Sequence, residues 1–89
     1  MISAVVVCLN EAEKLEHCLK SISGFADEIV IVDLGSSDES RGIAEDFGAV
    51  VFKHKFVPYV ETVRNYAISK TSGEWVLILD PDEILTNNL

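Results

Sequence analysis

Four short runs that are apolar at almost every position, Ala4–Leu9, Ile29–Val32, Ala49–Phe52 and Trp75–Leu79, set the tightest limit on what this chain can fold into. They are rich in β-branched residues and show no in–out alternation, which suits strands covered on both faces, as in a parallel sheet. Between them lie segments long enough for helices. The first, after Asn10, repeats Leu15, Cys18, Leu19 and Ile22 at the spacing of one helical face. The second is weaker, with Ile43, Ala44 and Phe47. The third carries Val60, Val63 and Ala67, with Pro58 placed for its first turn.

Punctuation agrees with this division. Asn10 with Glu13, and Ser36 with Glu39, have the spacing of a capping box. Gly24, Gly48 and Gly73 follow the helical segments, where a left-handed closing residue is commonly needed. The order is therefore β-α-β-α-β-α-β. Right-handed crossovers turn that order into a Rossmann-like, three-layer α/β/α fold with a mostly parallel sheet.

The 89 residues fit one domain, 1–89, which buries only roughly 60–65% of its unfolded surface. A hydrophobic share of 48% argues for a globular chain rather than a disordered one. The net charge of −8 argues against nucleic acid, whose binding depends on Lys and Arg neutralising phosphates. An anionic ligand would need its repulsion offset, and a divalent cation is the common solution. The apolar runs are far shorter than the ~18–20 residues of a membrane span, and the N-terminus lacks the features of a signal peptide. A soluble, cytoplasmic chain is expected. Cys8 and Cys18 read as small buried hydrophobes outside any disulfide framework.

Ligands of open α/β sheets bind beyond the carboxyl ends of the strands. The residues expected there are Leu9, Asn10 and Glu11 after the first run, Asp33 to Asp38 after the second, Lys53, His54 and Lys55 after the third, and Asp80, Pro81, Asp82 and Glu83 after the fourth. Asp33, Asp80 and Asp82 should thus gather at one edge. Asp80-Pro81-Asp82 suits Mg²⁺ or Mn²⁺ as hard oxygen donors on a stiff loop, and suits equally an ordinary turn before a helix. Asp33 reads as an acceptor for a base or ribose, or as an acid opening the Gly35-Ser36-Ser37 turn. Asn10 reads as a helix cap or a ligand group. Arg64 and Asn65 read as a solvated helix face or, for Arg64, as a diphosphate donor. His17 should face solvent, and Lys53, His54 and Lys55 should form a solvated loop. Tyr59, Tyr66 and Trp75 are expected at the core or its edge.

Taken together, Val5–Glu11 (VVVCLNE), Ile29–Asp38 (IVIVDLGSSD), Arg64–Ala67 (RNYA) and Gly73–Glu83 (GEWVLILDPDE) resemble family 2 glycosyltransferases of the GT-A fold. The Asp27–Asp33 stretch (DEIVIVD) is similar to the bacterial branch that builds lipopolysaccharide and other cell-surface glycans. The resemblance implies a partial GT-A fold that binds a nucleoside diphosphate sugar, UDP-linked, for transfer to a glycan or lipid-linked acceptor. It implies that Leu9, Asn10 and Glu11 line the base pocket and that Asp33 accepts from the base. Arg64 would approach the base or diphosphate, Asp80 would face ribose and metal, and Asp82 would be the main ligand of Mg²⁺ or Mn²⁺. Leu9 stands where the family often has Tyr, Leu34 where it has a second Asp or Ser, and Pro81 where Ala is more frequent. The family's general base follows the Asp-x-Asp motif, so no catalytic residue is expected in these 89 residues. Loss of a base alone costs on the order of 10²–10⁴ in rate, so the chain by itself is expected to be inactive. In a full-length protein the chain would lie in the cytoplasm, peripheral to the inner face of the membrane.

Other readings share the architecture. A dinucleotide dehydrogenase would need Gly-x-Gly-x-x-Gly where Asn10-Glu11-Ala12 stands. A non-catalytic nucleotide-binding or interaction module would keep the fold without the chemistry. The fourth strand should be an apolar edge, which invites self-association.

Overall fold

The computed structural model describes residues 1–55, 60–72 and 75–80, without the side chains of Val60 and Glu61. The readings made for Pro58, Tyr59, Gly73, Pro81, Asp82 and Glu83, and for the side chain of Val60, lie outside the described residues. The elements are β1 (Ile2–Cys8), α1 (Ala12–Ile22), β2 (Glu28–Asp33), α2 (Ser40–Asp46), β3 (Val50–Lys53), α3 (Val60–Ser69) and β4 (Trp75–Leu79). All four strands are parallel, in the order β3-β2-β1-β4. The fold is α/β, as the alternating runs require.

Helices cover both faces. On one, α1 supplies Leu15, Cys18, Leu19 and Ile22, all buried against Ala4, Val6, Cys8, Ile29 and Ile31, with Ala44 of α2 beside them. On the other, Val63 and Ala67 of α3 cover Val5, Val30 and Val32. Successive residues of β1 and β2 point to opposite faces, so only an unbroken apolar run satisfies both layers. β3 and β4 are edges among the described residues and less enclosed, with Val50 and Trp75 exposed. Trp75, expected at the core or its edge, is 71% exposed because β4 has a neighbour on one side only. Both cysteines are buried thiols outside any disulfide, as expected. No described helix is long and apolar enough to cross a membrane.

The punctuation differs in detail. Gly48 has φ 77° and closes α2 in the left-handed region, while Gly24 is not among the positive-φ glycines. Neither capping box forms. The residue before α1 is Glu11 and the residue before α2 is Glu39, and neither caps its helix through a side chain. Asn10 bonds across to Ser36 and Ser37 instead, and the Ser36 hydroxyl donates back to Asp33.

Candidate functional site

From β1 the chain steps outward through β2 to β3, then α3 carries it back to β4 on the far side of β1. Strand order reverses between β1 and β4. In open α/β sheets, ligands bind in the crevice outside the carboxyl ends of the strands at such a reversal. The register places Cys8 beside Asp33 and Asp33 beside Lys53, so the loops that follow these strands start at one level of the sheet. Asp80 directly follows β4, whose Leu79 pairs with Val6.

The β1–α1 loop forms one wall. Leu9 and Glu11 are half-buried and Asn10 is exposed. Asn10 has φ 50°, a left-handed conformation that Asn adopts more readily than most residues. Its backbone N–H donates to Ser36 Oγ at 2.9 Å, and its side-chain Oδ1 accepts from the Ser37 N–H at 2.7 Å. The Glu11 N–H donates to Ser40 Oγ at 3.3 Å, and the Ala12 N–H to Asp38 Oδ2 at 3.2 Å. The amides leading into α1, and that of Ala12 at its start, are thus taken by the segment that follows β2. Asp38 also accepts from the Ser40 hydroxyl and N–H, and these bonds hold its carboxyl below the usual range.

Asp33 ends β2 and is buried. Its carboxylate accepts the Ser36 hydroxyl and the Ser36 N–H, the latter at 3.1 and 3.3 Å to its two oxygens. Cys8 Sγ donates to it at 3.7 Å, and Arg41 Nε lies 3.7 Å away. Burial, then the charge of Asp33, then the hydrogen bond to it push the Cys8 thiol up to about 12.

Asp80 stands on the other side of the crevice. Arg64 Nη2, from α3, donates to Asp80 Oδ1 at 3.0 Å, and both side chains are part-exposed. Arg64 is therefore neither a bare solvated cation nor distant from the acids, while Asn65 is exposed. Asp33 and Asp80 do share the carboxyl rim, but β1 lies between their strands. Two strand spacings are roughly 9–10 Å, so Asp33 and Asp80 do not chelate one ion. No group of three or more His, Cys, Asp or Glu fit to hold a metal occurs among the described residues. Asp80 brings a carboxylate to the rim with its side chain 57% exposed, a hard oxygen ligand of the type divalent cations take. Asp82 lies outside the described residues.

His17 is exposed, as expected. His54 is half-buried, with its ring 4.7 Å from that of Tyr66. Sequence reasoning placed Ser36, Ser37 and Asp38 at the rim without their bonds to the β1–α1 loop, and passed over Ser40. Their signal was four hydroxyl or acid side chains crowded just beyond a buried strand, read there as an ordinary turn.

Comparison with known proteins supplies the remaining information. The model of "Glycosyl transferase family 2" matches residues 3–89. An uncharacterized glycosyltransferase of Rickettsia bellii is 35% identical over 88 residues, covering 99% of this chain and 30% of that protein. The lipopolysaccharide core biosynthesis glycosyltransferase LpsC of Rhizobium meliloti is 33% identical over 94 residues, covering 99% of this chain and 34% of that one. Among solved structures, glucosyl-3-phosphoglycerate synthase from Mycobacterium tuberculosis, in complex with Mn²⁺ and UDP-glucose, superposes with a TM-score of 0.79 at 29% identity. That match covers 94% of this chain and 34% of the synthase. The chain thus spans about a third of the length of these relatives.

Proposed function

The chain belongs to glycosyl transferase family 2, and from that premise we propose that it binds the donor, a UDP-linked sugar, for transfer to a glycan or lipid-linked acceptor. The observation that carries the reading is the reversal of strand order between β1 and β4, with the β1–α1 loop following one strand and the Arg64–Asp80 pair at the end of the other. Leu9, Asn10 and Glu11 line the base pocket, with Asp33 behind them at the base end. Arg64 faces the diphosphate, for which a guanidinium is the best single donor. Asp80 faces the ribose and, with Asp82, holds Mg²⁺ or Mn²⁺. A cation held there would supply Lewis-acid stabilisation of the leaving nucleotide. The neighbour that carries Mn²⁺ and UDP-glucose supports this donor class.

Charge supports the pairing of donor and cation. The chain carries −8, so a diphosphate approaching the rim meets net repulsion that a cation and Arg64 offset locally. Binding, rather than turnover, is the activity proposed for these 89 residues.

Calorimetric titration of UDP and UDP-glucose, with and without Mn²⁺, tests the reading. Metal-dependent binding is expected, weakened at least about tenfold in Asp82→Asn, as loss of a charged ligand contact of about 1.5–3 kcal/mol implies. Binding of NAD in preference to UDP, or of no nucleotide at all, contradicts it.

A further inference from the structure

We propose that Asp33 serves the nucleotide site as a positioning residue, acting through Ser36 on the backbone of Asn10, rather than as a direct acceptor for the base. The inference rests on the donor-binding reading and refines it. Asp33 is 1% exposed, so its oxygens do not reach the crevice. They are already engaged by the Ser36 hydroxyl, the Ser36 N–H and Cys8 Sγ, with Arg41 Nε alongside.

The direction of the chain of bonds follows from donor and acceptor chemistry. A carboxylate only accepts, so the Ser36 hydroxyl gives its one proton to Asp33 and turns a lone pair toward Asn10. The Asn10 N–H donates to that lone pair at 2.9 Å. The same arrangement recurs for the next amide: Asp38 Oδ1 accepts the Ser40 hydroxyl at 2.6 Å, and Ser40 Oγ accepts the Glu11 N–H at 3.3 Å. Asp38 Oδ2 takes the Ala12 N–H directly. Two acid–serine relays therefore hold the Asn10 and Glu11 amides, Asp38 holds the Ala12 amide that opens α1, and Ser37 holds the Asn10 side chain. With Asn10 in a left-handed conformation, the loop needs this support to stay in one shape.

A double-mutant cycle with two readouts tests the relay. Asp33→Asn, Ser36→Ala and the double variant are compared for UDP affinity in Mn²⁺ and for amide exchange at Asn10 in the ligand-free protein. If Asp33 works through Ser36, each single change weakens UDP by roughly tenfold and the double variant is no weaker than Ser36→Ala. Exchange at Asn10 accelerates in all three, and Ser36→Thr, which keeps the hydroxyl, restores protection. Losses that multiply, or Asn10 exchange unaltered by Ser36→Ala, overturn the proposal. If Asp33→Asn does not fold, Ser36→Ala against Ser36→Thr still decides it through exchange. If the unsubstituted chain binds no UDP, the donor reading fails, while the exchange arm separately judges the relay.

Discussion

Alkylation of Cys8 offers a direct measure of the buried charge at the heart of this rim. Cys8 is 1% exposed and its pKa stands at about 12 rather than 9.0, through burial first and then the charge and hydrogen bond of Asp33. At pH 8 a thiol of pKa 9.0 is roughly one-tenth thiolate, whereas one near 12 is about one part in ten thousand. Since the thiolate is the nucleophile, iodoacetamide should modify Cys8 about a thousandfold more slowly in the native chain than in urea, read by peptide mass spectrometry. Asp33→Asn removes the charge but keeps the burial, so its native rate should rise part of the way. The linkage has a definite sign. The folded-state value is the higher one, so this thiol's contribution is complete below pH about 9 and is lost as pH climbs toward about 12. The loss amounts to up to about 1.4 kcal/mol per pH unit. A native rate within tenfold of the unfolded rate refutes the placement of Cys8 beside an ionised, enclosed Asp33.

Two further outcomes are expected. Leu19→Ala opens a hole where α1 meets the sheet, at a side chain with no exposed surface, and should cost about 2–5 kcal/mol. A chain of this size has only about 4–13 kcal/mol in all, so the urea midpoint should fall sharply, and an unmoved midpoint contradicts the packing. Along its outer edge β4 is expected to pair with a second copy, since Trp75 and Ile78 are exposed there. Light scattering at high concentration should show dimers that Trp75→Lys disperses; a monomeric unsubstituted chain counts against it.

The strands were legible because covering both faces of β1 and β2 demands apolar residues without a break, and few other sequences tolerate that. The face of α1 was legible for the same reason, through Leu15, Cys18, Leu19 and Ile22. Local motifs were less reliable. The spacing of Asn10 with Glu13 and of Ser36 with Glu39 promised caps, yet both side chains bond to residues outside their own helices. A local pattern cannot reveal that a better partner waits on a neighbouring strand's loop. The placement of Asp33 at the rim was also legible, but not its inward direction, which depends on Ser36, Cys8 and Arg41 closing around it. Trp75 was misjudged because burial at an edge strand depends on neighbours, which composition does not report.

The interlocked loops bear on how the crevice comes into being. The bonds that shape residues 10–12 span 26 to 29 positions of sequence, so they cannot exist before β1 and β2 have paired. An excised peptide ending at Ile22 would contain Leu9, Asn10 and Glu11 yet not the geometry they adopt. Such contacts raise contact order and postpone the appearance of a competent pocket until the sheet's centre is built. The shape of this loop is a late product of folding, conferred on residues 10–12 by the stretch that follows the second strand.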